Sequence, residues 1–320
     1  MDPHRRAFLG MAAVGLLSAV PGCGLLSGPK QAPHGAEGAT VRLGVVPIID
    51  VAPVYIAMRA GYFRDEGVDV RIRTVQGGAA GIPAMVSGDL DVTFGNWVSF
   101  FTAQAKGTAD LKLVADGYRG KPGMFLVLAL PDGPVRSAKD LAGRKIAVNT
   151  RGNVTELAVR AAMRAQGVDV SAVQFTEMPF LDMQSALQRK DVDAALVVEP
   201  FLTSAIRQAG AVPVLDTMTG AATELPIGGY ATTAKFAAGN PATLDAFRRA
   251  LGKAQRDAAD RHRVEEVIAD YAKVDSSVAA QVHLGSYPTG IDANRLRNVV
   301  SIMRDNGMLD RDLDPSTMVL

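Results

Sequence analysis

The 320-residue sequence has a single cysteine, Cys23, and four scattered histidines, His4, His34, His262 and His283. One thiol excludes an internal disulfide and any cysteine-built zinc or iron–sulfur site. No two histidines stand at metal-ligand spacing, so neither a metal nor a cofactor is expected. Catalytic signatures are missing too. There is no G-x-x-x-x-G-K-[ST], no G-x-G-x-x-G after a strand, no G-x-S-x-G elbow and no H-E-x-x-H. A formal charge of +1 is far from that of a basic nucleic-acid binder, and no nucleic-acid partner is expected. The chain therefore reads as a binder and not as an enzyme. What is present fits a soluble body: 48% apolar and 21% charged residues are close to the globular average. The length exceeds one ordinary domain and suggests two lobes.

The first residues read as an address. Arg5-Arg6-Ala7-Phe8-Leu9-Gly10 precedes an apolar run, Met11–Val20, which is too short for a permanent membrane span. Twin arginine followed by x-Phe-Leu resembles a twin-arginine (Tat) export signal. Val20-Pro21-Gly22-Cys23 resembles a lipoprotein box, whose cysteine is acylated and becomes the new N-terminus. Residues 1–22 are thus expected to be an export signal. Residues 23–40, rich in Gly and Pro, are expected to be a lipid-anchored linker. Removing 1–22 takes away Arg5, Arg6 and Asp2 and leaves a neutral body. The expected location is the outer face of the cell membrane, or the periplasm if Cys23 is not lipidated.

From Val41 onward, short apolar runs alternate with helical stretches. Strands are predicted at 41–46, 68–75, 91–94, 112–115 and 125–130, with helices at 53–60, 82–87 and 98–104. A second block predicts strands at 145–148, 173–177, 194–198 and 212–215, with helices at 154–166, 181–189 and 203–208. This β-α-β alternation argues for parallel sheets with helices on both faces. A last strand at 230–233 is followed by helices at 241–260, 264–272, 277–285 and 292–306. A helical tail after two α/β blocks suggests that the chain crosses back to the first lobe, with crossings near 129–132 and 225–229.

One ordered set of motifs carries a resemblance. It comprises Pro53-Val54-Tyr55-Ile56-Ala57, Gly61-Tyr62-Phe63-Arg64-Asp65-Glu66-Gly67-Val68-Asp69-Val70, Gly77-Gly78 and Gly88-Asp89-Leu90-Asp91-Val92. Further along come Asp140-Leu141-Ala142-Gly143-Arg144-Lys145-Ile146-Ala147, Asp193-Ala194-Ala195 and Glu199-Pro200-Phe201. Over roughly 41–310 the chain resembles the nitrate/sulfonate/taurine substrate-binding proteins of ABC importers, a group that includes receptors for thiamine-pyrimidine precursors. The resemblance implies a type II periplasmic binding protein: two doubly wound α/β lobes, a two-crossing hinge and a helical C-terminal tail packed on lobe 1. Lobe 1 would be 41–130 and 228–320, and lobe 2 would be 131–227. It also implies a monomer that takes a small-molecule ligand and hands it to an ABC permease and its ATPase.

Candidate binding residues follow from strand ends. Gly77-Gly78 opens a helix and lets a ligand approach backbone N–H groups, where the helix dipole favours an anion. Asn149, Thr150, Asn153, Val154 and Thr155 form the corresponding loop of the second lobe, with Asn153 as N-cap and Glu156 completing a capping-box-like pair. Ile49 and Asp50 follow the first strand. Glu199 ends another and is read either as a ligand carboxylate or as a hinge or surface residue. Asn96 and Trp97, with Tyr118, Phe180, Phe201 and Tyr230, are candidate walls, although each ring could equally serve the core. Two carboxylates in the cleft would favour a ligand with an amine or another donor over bare nitrate. Two other readings stay open. One is a thiamine-pyrimidine-synthase-like enzyme of the same fold, a family that uses a histidine as substrate and a cysteine-rich motif. The other is a ligand sensor without transport.

Overall fold

The computed structural model describes residues 38–223 and 225–320. The export and anchoring features expected at Arg5, Arg6 and Cys23, and nearly all of the linker, lie outside the described residues.

Among the described residues there are ten strands: β1 (Ala39–Val45), β2 (Val68–Thr74), β3 (Val92–Asn96), β4 (Leu111–Arg119), β5 (Leu126–Ala129), β6 (Lys145–Val148), β7 (Gln174–Glu177), β8 (Ala194–Val197), β9 (Val212–Asp216) and β10 (Pro226–Thr233). They form two five-stranded sheets of identical design, ordered β2-β1-β3-β10-β4 and β7-β6-β8-β5-β9. β3 and β8 are buried along their whole length, as strands covered by helices on both faces must be. β2, by contrast, alternates buried and exposed residues at its start, which matches the alternating Val68, Val70 and Ile72 pattern.

The sheets are mixed, not purely parallel. β1, β2 and β3 run parallel, while β10 is antiparallel to both β3 and β4. In the second sheet β6, β7 and β8 run parallel, while β5 is antiparallel to β8 and β9. The reversed strand of each sheet is the one that arrives from the other sheet. β5, expected in the first lobe, therefore belongs to the second sheet. The chain leaves the first sheet after Arg119, before the expected 129–132, and returns between β9 and β10. Sequence periodicity marks a strand but does not say which partner it pairs with.

The helical tail packs back on the first sheet. Pro241–Asp257 and Arg261–Ala272 lie on helix Ala52–Ala60, and Ala293–Asp305 lies on helix Trp97–Lys106. Phe63 stacks on Phe247 at 5.4 Å between centroids. A pair of this kind adds ~1 kcal/mol beyond its buried area. The helix expected over 277–285 is only one turn, Ser276–Ala279. Beyond it the chain is captured by other partners. The His283 N–H donates to Glu199, the Gly285 N–H donates to the Tyr118 hydroxyl, and Ser286 pairs with Arg119 at the end of β4.

Candidate functional site

In each sheet the chain turns one way from its second-listed strand to the edge and the other way to the centre. That reversal opens a crevice at the carboxyl ends of β1 and β3, and of β6 and β8. The two crevices face each other. Val46, Ile48 and Asp50 after β1, and Gly77-Gly78 after β2, line one side. Asn149, Asn153, Val154 and Thr155 after β6, with Val198 after β8, line the other. The free volume at the centre is about 30 Å³, room for one or two waters. A larger hollow of about 740 Å³ lies at the opposite end of the first sheet, walled in part by Arg42, Asp91 and Asp110. It sits at the wrong strand ends for a ligand of this fold, and Arg42 and Asp91 are already bound to each other.

Asp50 is the polar centre of the first side. It is 1% exposed, and neither carboxylate oxygen has a hydrogen-bond partner. An unpaired buried charge is expensive, and the group responds by holding its proton. Burial raises the Asp50 pKa to about 7. Its turn is fixed from beneath by two tail tyrosines: the Tyr271 hydroxyl donates to the Ile48 carbonyl and the Tyr287 hydroxyl to the Ile49 carbonyl, both at 2.9 Å.

The second side is a closed amide–hydroxyl network. Asn153 Nδ2 donates to Asn149 Oδ1 at 2.8 Å and to Thr150 Oγ1 at 2.7 Å. Asn153 Oδ1 accepts from the N–H groups of Thr155 and Glu156 and so caps helix Val154–Ala165. Glu156 does not complete the expected capping box. It accepts from the Gly152 N–H at 2.9 Å and pairs with Arg160. Hydrogen bonds cross between the two sides of the cleft: Gln76 Nε2 donates to the Asn149 carbonyl, Asn149 Nδ2 to the Gln76 carbonyl, and the Val154 N–H to Asn96 Oδ1. The approach is close because Gly77 permits it: a Cβ there would sit 3.1 Å from Asn149 Nδ2.

Of the sequence-predicted residues, Asp50, Gly77, Gly78, Asn96, Asn149, Asn153, Val154, Thr155 and Phe180 meet at the cleft. Seven do not line it. Thr150 partners Asn153 and faces Gly77 at the margin of the cleft, where a Gly77 Cβ would lie 3.2 Å from its Oγ1. Ile49 is a backbone tie, its N–H donating to the Glu199 carbonyl. Trp97, Tyr118 and Tyr230 are fully buried core rings. Phe201 lies one layer outward, stacked on Phe180 at 6.5 Å. Glu199 is fully buried and is bonded to its own helix and to the tail. It accepts from the Thr203 hydroxyl and N–H and from the His283 N–H, and it pairs with the His283 ring. Sequence reasoning missed Phe94, Phe125, Ile227 and Gly228, which also line the cleft. Phe125 and Ile227 sit at the starts of the two reversed strands, a position that becomes readable only once the crossings are known.

Solved structures share this architecture. The alkanesulfonate-binding protein of Xanthomonas axonopodis pv. citri, solved bound to MOPS, superposes with a TM-score of 0.74 at 16% identity, over 89% of this chain and 99% of that one. The ligand-binding component of an ABC-type import system from Staphylococcus aureus, solved with zinc bound, gives 0.75 at 13% identity, over 88% and 96%. In sequence, 90 residues are 29% identical to the Escherichia coli (strain K12) "Putative aliphatic sulfonates-binding protein". That match spans 28% of each chain. The fold is therefore that of the periplasmic solute-binding proteins. Within it, the chain belongs to the NMT1/THI5-like family, whose model matches residues 48–262.

Proposed function

We propose that this protein is the extracytoplasmic solute receptor of an ABC importer. It closes two lobes, one on each sheet, around a small organic ligand that carries both an oxyanion and an amine, or around a small donor-bearing heterocycle. The carrying observation is Asp50, buried in the cleft with both oxygens unpartnered. A protonated amine would supply the missing donors as a charge-assisted pair. The helix N-terminus at Gly78, which no side chain caps, suits the oxyanion. The fold and the partial likeness to an aliphatic-sulfonate-binding protein support transport of an aminosulfonate. Export and anchoring through Cys23 complete the reading, with a permease and its ATPase as partners and no catalysis by the chain itself.

The test is a thermal-shift and calorimetric panel of taurine, alkanesulfonates, nitrate and a pyrimidine precursor. The proposal expects an amine-bearing sulfonate or the heterocycle to bind and nitrate to bind weakly. Tight binding of nitrate alone would overturn it.

A further inference from the structure

We infer that the chain carries a second ligand site outside the cleft: the groove between helices Gly78–Ser87 and Trp97–Lys106 takes a medium-chain aliphatic dicarboxylate. The groove offers about 640 Å³, within the ~300–1,000 Å³ usual for small-molecule sites. Its first wall is apolar. Ala79, Ile82, Pro83 and Val86 lie on one face of the first helix, at the three- and four-residue spacing that stacks side chains turn over turn. Ala79, Pro83 and Val86 are exposed, Val86 by 56%. An alkyl chain laid along them would take that apolar surface out of water.

The facing wall is polar at both ends. Ser99, Thr102 and Lys106 follow one another along the second helix with the same spacing. The Ser99 and Thr102 hydroxyls are buried and have no hydrogen-bond partner, and Ser99 as a whole is 4% exposed. A buried hydroxyl left unpaired is costly, and an anionic oxygen in the groove would accept from it. Arg151, in the loop after β6, stands at the Ser99 end, where Asn96 Oδ1 joins the Ser99 and Val154 N–H groups. Lys106 stands at the other end, one turn beyond Thr102. Ser99 and Lys106 are roughly two turns apart, ~10 Å along the axis. Both cations are exposed, and neither has a partner among the described residues. The remaining polar groups of the lining are engaged. The Ser87 hydroxyl contacts the Ala84 carbonyl and Asp89, the Thr108 hydroxyl donates to the Ala103 carbonyl, and the Gly152 N–H donates to Glu156. Each end of an apolar stripe thus offers one cation and one free hydroxyl, which suits an alkyl chain with a carboxylate at each end.

Calorimetry on the full chain with sebacate, decanoate and succinate tests this. Sebacate is expected to bind about five-fold tighter than decanoate, which covers the stripe but brings one anionic end. Succinate is too short to span the groove and should bind far more weakly than either. Arg151→Ala and Lys106→Ala, both at exposed positions, should each weaken sebacate about five-fold. Val86→Asp, which sets a carboxylate in the apolar wall, should abolish its binding. Asp50→Asn alters the cleft alone and should leave sebacate affinity unchanged. No sebacate binding, equal affinities for sebacate and either comparison anion, or an affinity unmoved by both Arg151→Ala and Lys106→Ala would overturn the groove site. Loss of sebacate binding in Asp50→Asn would place the dicarboxylate in the cleft and overturn it equally.

Discussion

Asn96 caps two helices at once. Its Oδ1 accepts the Ser99 N–H of its own helix at 2.9 Å and the Val154 N–H of the facing helix at 3.3 Å. One side chain thus joins the first turns of two helices that belong to different sheets, at the place where the proposed ligand would sit. Removing it should act on stability and on closure together.

Asn96→Ala loses an N-cap, worth ~1 kcal/mol, and a cross-cleft bond to the Val154 N–H. The expected melting-point loss is about 2–4 °C by calorimetry. Small-angle scattering should show a shift toward a more open pair of lobes. An unchanged scattering curve would confine Asn96 to capping.

Asp50 gives a pH signature. Burial raises its pKa from 3.8 to about 7. Over that window the folded chain keeps a proton that the unfolded chain releases. The stability contribution is complete below about pH 4, falls by up to ~1.4 kcal/mol per pH unit as pH rises, and is gone above about pH 7. Denaturant unfolding at pH 5 and pH 8 should show native protein losing more stability than Asp50→Asn. Affinity for an ammonium ligand should move the other way and strengthen from pH 6 to pH 8, because the ionised carboxylate is the form that pairs.

Glu199 separates a structural role from a pocket role. Glu199→Ala strands the buried Thr203 hydroxyl and the His283 N–H and is expected to cost ~3 kcal/mol by denaturant unfolding. Glu199→Gln keeps an acceptor and should recover much of that. Its ligand affinity should stay within about two-fold of native. A ten-fold affinity loss with native stability would return Glu199 to the pocket.

Cys23→Ser tests the anchor. Ligand binding should be unaffected, and the protein should move from the membrane to the soluble fraction on cell fractionation. Continued membrane attachment would refute lipidation at Cys23.

The elements of this fold were largely legible because their signals are local. Lys145–Val148 is a strand with the predicted bounds, helix Ala52–Ala60 ends at Gly61, and Asn153 caps where its sequence context predicts. Sheet membership was not legible, since β5 and β10 find partners across the whole chain. The rings failed for a related reason. Trp97 follows Asn96 at the cleft, yet its side chain turns beneath β10. There Gly229 makes room: a Cβ at Gly229 would lie 2.4 Å from the indole. The signal for that placement was the Gly228-Gly229 pair, more than a hundred residues away. Loop residues with polar tips, Asp50 and Asn149–Thr155, were found because strand ends and helix starts define a cleft with little further information.

The central claim is that Asp50 selects an amine-bearing ligand in the interlobe cleft. Isothermal titration of native chain and Asp50→Asn at pH 8, with an aminosulfonate and with nitrate, tests it most directly. The account predicts measurable aminosulfonate binding to native protein, at least ten-fold weaker binding to Asp50→Asn, and little nitrate binding to either. Equal aminosulfonate affinity in the two proteins, or tight nitrate binding by the native chain, would contradict it.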